Sequence, residues 1–216
     1  MIAGRFIAVI LIGYLLGAIP FGVVIGRLTR GVDVREYGSG RTGVANVMRT
    51  AGRGAGAMVF ILDAAKSAVA IIIAWAIFGL GDPMLDPVLS AAMAAGAFAA
   101  IIGHNWSIYI RFQGGRGVTA SFGGFMVMAW QVALPSFILF LLIVALSRYM
   151  SLGSILGSAT AAIVMIPLFI LDIEPLAFLV YAILAAGLII FRHRDNIARL
   201  RAGTEPKIGE RARRMG

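Results

Sequence analysis

Cysteine is absent from the 216-residue chain, which removes disulfides, thiolate metal sites, cysteine nucleophiles and palmitoylation from its chemistry. Histidine occurs only twice, at His104 and His193, far apart and in no HExxH-like pair; a histidine-rich metal site is therefore not expected. No cofactor is called for either, although a Mg²⁺ accompanying a phosphate would need few protein ligands and stays open. Charge is scarce as well. Only 13% of residues are charged and 60% are hydrophobic, against about 25% charged in soluble domains. The apolar runs do not alternate with polar residues, which argues against a transmembrane β-barrel. What remains is an all-α integral membrane protein.

Apolar stretches over 6–26, 55–79, 88–103, 118–131, 134–147, 152–171 and 175–192 approach the roughly 20 residues that cross a bilayer as a helix. They predict about seven transmembrane helices in one bundle, forming a single domain over residues 1–216. The first stretch is read as a retained span, because no small-residue cleavage site follows it. The fourth and fifth are short and divided near Trp130, Gln131 and Pro135; joined into one kinked helix, they would give six spans instead.

Arginine follows the first, third, fifth and seventh stretches, whereas 80–87, 132–133 and 172–174 carry Asp82, Asp86, Asp172 and Glu174 and no Lys or Arg. The positive-inside rule then places the N-terminus outside and the basic loops and C-terminus in the cytoplasm, an arrangement that an odd number of spans satisfies. A net charge of +9 is accounted for by this topology and by anionic lipid headgroups. Nucleic acid is not an expected partner, because the cations are spread over short loops.

Three polar, glycine-punctuated segments interrupt the apolar pattern. In Tyr37–Arg49, closely spaced glycines let backbone amides turn toward an anion; Ser39, Thr42 and Asn46 add neutral donors and Arg49 a two-pronged guanidinium. An ordinary turn with topogenic arginines would read the same way. In Gly103–Gly117, His104 ends the third stretch, and Gly114, Gly115, Arg116 and Gly117 lead into the fourth. A glycine turn feeding a helix N-terminus is a phosphate seat. Trp106 and Tyr109 fit as interfacial aromatics. In the third segment, continued helix would put His193, Asn196 and Leu200 on one face, with Gly203 as terminator and Glu205 fixing the tail. Arg211, Arg213 and Arg214 read as a basic juxtamembrane tail.

Two further features sit in or beside the apolar stretches. Asp63 and Lys66 share a helix face. They either border the site and help to hold an anion, or neutralise one another with Lys66 snorkelling to the interface. Near the start of the sixth stretch, Ser154 could donate to an anion, and Ser151 reads as a helix cap.

Taken together, Gly38-Ser-Gly-x-x-Gly-x-x-Asn-Val-x-Arg49, Gly103-His104 with Phe112-x-Gly-Gly-x-Gly117, and His193-x-x-Asn-Ile-x-Arg-Leu-x-x-Gly-Thr-Glu205 resemble the bacterial acyl-phosphate:glycerol-3-phosphate acyltransferases, the PlsY family of integral membrane enzymes. The resemblance runs in order along nearly the whole chain. It implies transfer of a fatty acyl group from acyl phosphate to the 1-hydroxyl of glycerol 3-phosphate, the first acylation of phospholipid biosynthesis. The reaction would take place at the cytoplasmic face of the bacterial inner membrane, on a monomer.

The residues suit that chemistry. No Gly-x-Ser-x-Gly nucleophile motif is present, and acyl phosphate is activated enough for direct attack. In this reading His193, Asn196, Arg49 and Ser39 form the catalytic group. Lys66, Arg116, Gly114, Gly115, Gly117, Ser154 and Asn46 hold phosphates, supported by Asp63, His104, Arg199 and Glu205. The proton would pass to His193 or to a substrate phosphate. Arg41, Ala45 and Arg116 stand where the family usually has asparagine, threonine and lysine, suggesting divergence or an altered substrate preference. A small transporter or flippase for phosphorylated lipids is the alternative, and it would need polar residues reaching both membrane faces.

Overall fold

A computed structural model describes residues 1–210 and 212–214. Each of the seven expected apolar stretches is helical. The first is divided into α1 (Ile2–Ala18) and α2 (Phe21–Arg30), where one unbroken helix was expected. Pro20 is the reason: it has no N–H to donate and its ring crowds the preceding turn, so Ile19 adopts ψ 116° and the ladder stops. After the short α3 (Val44–Ala51) come α4 (Arg53–Phe78), α5 (Pro87–Asn105), α6 (Val118–Met128), α7 (Trp130–Ser147), α8 (Met150–Ile170), α9 (Leu176–Arg192) and α10 (Arg194–Arg201). The sharpest start is that of α5, where Asp86 accepts from the amides of Val88 and Leu89 and Pro87 occupies the first turn.

Among the described residues, five segments are long and apolar enough to cross a membrane: Ile2–Arg30, Arg53–Phe78, Pro87–Asn105, Trp130–Ser147 and Met150–Ile170. A sixth arises if α9 and α10, bent by 55°, are taken together. With 11 residues, α6 is only about 16 Å long at 1.5 Å per residue. The α6–α7 break falls at Ala129 (φ −156°, ψ 77°), slightly before the expected position. Pro135 is carried inside α7.

The main core joins α4, α5, α6 and α9 around Ile71, Leu89, Ile101, Phe178 and Tyr181, with Met165 of α8. Backbones approach closely where side chains are smallest. A Cβ on Gly17 of α1 would lie 2.1 Å from the Ala100 carbonyl oxygen of α5, and one on Gly123 of α6 would lie 2.1 Å from that of Ala64 in α4. The outward faces carry Ile10, Leu142, Ile163 and Ile183, the surface a helix presents to lipid.

Asp63 and Lys66 face the core side of α4. Lys66 Nζ lies 2.7 Å from Asp63 Oδ1, both side chains being at most 3% exposed, and donates to the Ile19 carbonyl at 2.9 Å. That carbonyl is one the Pro20 break leaves without a helical partner. Lys66 also approaches the Phe21 ring. Its amine thus closes the α1–α2 joint, in contrast to the expected role in holding phosphate. Lys66→Met should destabilise the protein by about 3–5 kcal/mol, because it strands a buried carboxylate. Adding Asp63→Leu should recover most of the loss, as read by thermal unfolding in detergent. Equal melting of the single variant and the parent would show that the pair carries no such weight.

The arginine-bearing connections meet at one end of the bundle. The tail from Thr204 onward lies across them. Ile208 N–H donates to Arg148 O at 2.8 Å, Ala212 N–H to Arg49 O at 3.2 Å, and Gly38 N–H to Arg213 O at 2.9 Å. Arg214 pairs with Glu36 at 3.0 Å. Arg213 and Arg214 therefore belong to a strap tying the tail to the first polar segment, a role the sequence had assigned only to topology. Arg211 lies outside the described residues.

Candidate active site

Beneath that strap opens a cavity of about 1060 Å³. Its polar end is lined by Ser39, Arg41, Asn46, Arg49, His104, Gly115, Arg116, Gly117, Ser154, His193, Asn196 and Glu205. All three polar segments thus contribute to one wall system. Among the expected site residues, Lys66, Gly114, Asp63 and Arg199 do not line it.

The first segment is organised by Asn46, which is 2% exposed. Its Nδ2 reaches the carbonyls of Val34 (2.8 Å), Tyr37 (3.1 Å) and Arg41 (2.9 Å), and its Oδ1 accepts from Ser39 N–H at 3.0 Å. With both ends of the amide committed, Asn46 shapes the loop and has no donor left for phosphate. The Ser39 hydroxyl forms no hydrogen bond among the described residues. One helical turn beyond Asn46, Arg49 projects from α3 into the cavity. Burial, opposed by Glu205 and reinforced by Arg199, holds its pKa below the ordinary arginine value.

The glycine segment proves to have two jobs. Gly114 and Gly115 let the chain lie against the end of α5. A Cβ at 114 would come 2.2 Å from His104 O, and one at 115 would come 2.0 Å from His104 Nε2. Gly115 N–H donates to His104 O at 3.0 Å, so that amide is not available to an anion, contrary to the expectation. Gly117 has φ +85°, the left-handed region where glycine is unstrained. It caps α6, whose first-turn residues Val118 and Thr119 line the cavity. A helix N-terminus of this kind can seat an anion.

Arg116 stands beside the seat with its Nε buried and without a hydrogen-bond partner among the described residues. Burial first, then the charges of Arg41, Arg199 and Arg49, lower its pKa to about 10 against the opposing pull of Glu205. It is still a cation at neutral pH, in a cluster with more positive than negative charge.

The third segment carries the groups that can handle a hydroxyl. Nδ1 of His193 lies 2.8 Å from the Ile189 carbonyl. A carbonyl can only accept, so Nδ1 bears the proton, and the Nε2 lone pair is uncommitted among the described residues. Burial and the neighbouring Arg116 push the His193 pKa down to about 4, so the ring is neutral at physiological pH. Asn196 Nδ2 donates to Glu205 Oε1 at 2.6 Å, and Arg199 Nε donates to Oε2 at 2.8 Å. This chain fixes the amide and leaves Asn196 Oδ1 buried and without a partner among the described residues, an acceptor open to a donor. Burial would raise the Glu205 pKa, yet the hydrogen bonds from Asn196 and Arg199 hold it below the carboxylate norm. Ser151 sits inside α8, whose cap position is Tyr149, and its buried hydroxyl has no hydrogen-bond partner among the described residues. The Ser154 hydroxyl donates to Met150 O at 2.8 Å, so in this arrangement it offers the cavity lone pairs in place of the expected donor.

In the sequence Arg192 is one of the cations that follow the seventh apolar stretch. It turns inward instead, donating through Nη2 to Gly115 O (3.0 Å) and Asn105 O (3.3 Å) and lying 4.7 Å from the Trp106 ring centre. It ties the glycine loop to the helix end that presents His193, and it explains Trp106 without an interfacial role. The signal was present in the helical spacing of Ala182, Ala185 and Ile189, which carries the buried face on to residues 192 and 193.

Away from the cations the cavity continues between α4, α6, α7 and α8 as an apolar trough lined by Phe60, Phe122, Phe125, Phe137, Phe140 and Ala161, among others. One end thus suits phosphate and a hydroxyl, and the other suits a hydrocarbon chain.

The family profile described as glycerol-3-phosphate acyltransferase matches residues 7–203. A glycerol-3-phosphate acyltransferase of Nostoc sp. is 40% identical over 212 residues, covering 94% of this chain and 92% of the relative. Glycerol-3-phosphate acyltransferase 3 of Dehalococcoides mccartyi is 39% identical over 217 residues, covering 99% and 100%. Crystal structures of PlsY (YgiH), an integral membrane glycerol 3-phosphate acyltransferase, superpose with TM-scores of 0.82 (glycerol 3-phosphate form) and 0.81 (lysophosphatidic acid form). Both are 36% identical and cover 94% of this chain, and the match spans 96% and 95% of their own lengths respectively. On these grounds the chain belongs to the glycerol-3-phosphate acyltransferase family and is an integral membrane protein.

Proposed function

We propose that the protein transfers a fatty acyl group from acyl phosphate to the 1-hydroxyl of glycerol 3-phosphate, releasing lysophosphatidic acid and inorganic phosphate. The observation that carries this reading is the single cavity in which an under-neutralised arginine cluster adjoins an apolar trough. Two phosphates and one hydrocarbon chain are what such a space accommodates. The acyl phosphate would rest its phosphate against the α6 N-terminus and Arg116, with its chain in the trough. Arg49 and the Ser39 hydroxyl would hold the glycerol 3-phosphate headgroup.

The hydroxyl oxygen then attacks the acyl carbonyl carbon. The carbon–oxygen bond to phosphate breaks, and inorganic phosphate departs. Asn196 Oδ1 accepts the hydroxyl hydrogen bond and aims it. The proton goes to His193 Nε2 or to a phosphate oxygen. A dianion beside Arg116 offsets the charge that depresses the His193 pKa, making the ring a better base once substrate is bound. Positioning and charge stabilisation supply most of the rate.

The same reading takes residues 1–216 as one unit acting as a monomer in the inner membrane. The N-terminus is outside and the arginine-rich end in the cytoplasm, as the charge asymmetry of the connections favours. Confinement of the polar lining to one end of the bundle speaks against a transport path.

The test is a phosphate-release assay on purified protein in lipid, with acyl-CoA and acyl-carrier-protein thioesters as alternative donors. Release is expected only when acyl phosphate and glycerol 3-phosphate are both present. Folded protein that releases none, or that turns over the thioesters alone, would overturn the donor assignment.

A further inference from the structure

The trough is bounded by two tightly joined helix pairs. On one side α4 and α6 meet at Gly123, where the Ala64 carbonyl leaves no room for a Cβ. On the other α7 and α8 meet at Gly153, where a Cβ would lie 2.9 Å from Phe140 O, and at Gly157, where one would lie 3.0 Å from Ser136 O. Neither pair can part without breaking backbone packing, so the trough's width is set between the pairs.

There the closure is made by aromatic rings. Phe60 of α4, Phe122 of α6 and Phe137 of α7 form a triangle with centroid separations of 5.6 Å (60–122), 5.6 Å (60–137) and 4.8 Å (122–137). Phe140 stacks on Phe137 at 5.9 Å, one turn nearer the polar mouth. All four rings line the cavity and are only half-buried.

Beyond this triangle Phe125, Ala133 and Ala161, all buried, also line the cavity and form its floor. Phe125 is locked edge-on against Tyr181 at 5.0 Å. The floor is otherwise small-sided: Ala133 is 1% exposed and Ala161 5%. From Ser151 at the mouth to Ala161 at the floor, α8 advances about 15 Å at 1.5 Å per residue. An acyl chain anchored by its phosphate at the α6 N-terminus therefore has a fixed length of trough in which to end.

Resting on the proposed acyl transfer, we infer that the Phe60–Phe122–Phe137 triangle and the Ala133–Ala161 floor beneath it form the acyl-length selector of this protein. Chains that reach the floor gain its apolar contacts. Longer ones must force the rings apart or leave their ends in lipid. Shorter ones forgo the floor contacts. The decisive side chains are Phe137, which completes the triangle from α7, and Ala161, a small side chain on the lining where a larger one would take space from the chain end.

The test measures kcat/KM for a donor series from decanoyl to stearoyl phosphate on three proteins: the parent, Phe137→Ala and Ala161→Leu. Melting in detergent serves as the folding control. Ala161→Leu should shift the optimum to shorter chains, lowering the palmitoyl-to-lauroyl ratio by roughly 10-fold, the scale of a change of one or two methylenes in a pocket. Phe137→Ala should flatten the profile, with KM for glycerol 3-phosphate unchanged. If Ala161→Leu does not fold, the flattening in Phe137→Ala decides alone. Parental profiles in the folded variants overturn the selector and leave the transfer reading intact. If acyl phosphates are not used at any length, the same profiles are taken with thioester donors, which separates failure of the donor assignment from failure of the selector.

Discussion

Replacing His193 by alanine is expected to lower turnover by roughly 10²- to 10⁴-fold, the range for removing a positioned acid–base group. Thermal stability should change far less. The ring is held by a single hydrogen bond to Ile189 O at 2.8 Å, and its other nitrogen is uncommitted. A structural histidine would have both nitrogens occupied; this one has a lone pair free in a cavity lined with cations. Its low pKa, about 4, arises from burial and Arg116, conditions that a bound phosphate dianion relieves. His193→Gln can still hydrogen-bond but cannot take a proton at neutral pH, so it separates orientation from proton transfer. Glutamine retaining most of the parental turnover would assign the proton to a substrate phosphate and reduce His193 to positioning. Loss as deep as in alanine would assign the proton to Nε2. Measured KM values should move little in either variant, because phosphate recognition rests on Arg49, Arg116 and the α6 N-terminus.

The polar wall of this site was legible in the sequence because it interrupts an otherwise apolar chain. Glycine, hydroxyl and guanidinium residues have no reason to cluster beside membrane spans unless a ligand or a tight turn requires them. What could not be read was how each donor is spent. Gly115 and Asn46 have the composition of anion binders, yet their hydrogen-bonding groups go to His104 O and to the Val34–Arg41 loop. Lys66 joins Phe21 N–H on the Ile19 carbonyl at the Pro20 break, a partnership that depends on α1 and α4 lying side by side. Arg192 looked like a membrane-flanking cation because its carbonyl partners are 87 and 77 residues away. The trough was hidden for the opposite reason. Phe60, Phe122 and Phe137 stand in three separate apolar runs, each indistinguishable there from a lipid-facing residue until the helices bring the rings together. Local chemistry shows in sequence; the pairing of distant backbone and side-chain groups does not.

Arg116→Ala should reduce kcat by roughly 10²- to 10³-fold, the cost of removing one preorganised donor from a developing negative charge, while leaving the melting temperature unchanged or raising it. The two expectations pull apart because of how the resting site is built. Arg116 is half-buried, its Nε is enclosed without a hydrogen-bond partner among the described residues, and Arg41, Arg49 and Arg199 all repel it. Burying a cation without matching acceptors costs stability, so its deletion relieves the folded protein even as it disables the enzyme. That trade is what a site awaiting an anion should display. Arg116→Lys keeps the charge but exchanges a planar fork for a point donor on a different stem. It should recover part of the lost turnover, and this measures how far the seat depends on two-pronged contact. Inorganic phosphate supplies the matching equilibrium test: it should raise the melting temperature of the parent protein and do so less in Arg116→Ala. If alanine instead lowered stability and turnover in proportion, Arg116 would be a packing residue and the anion seat would have to be built from the α6 amides and Arg49 alone.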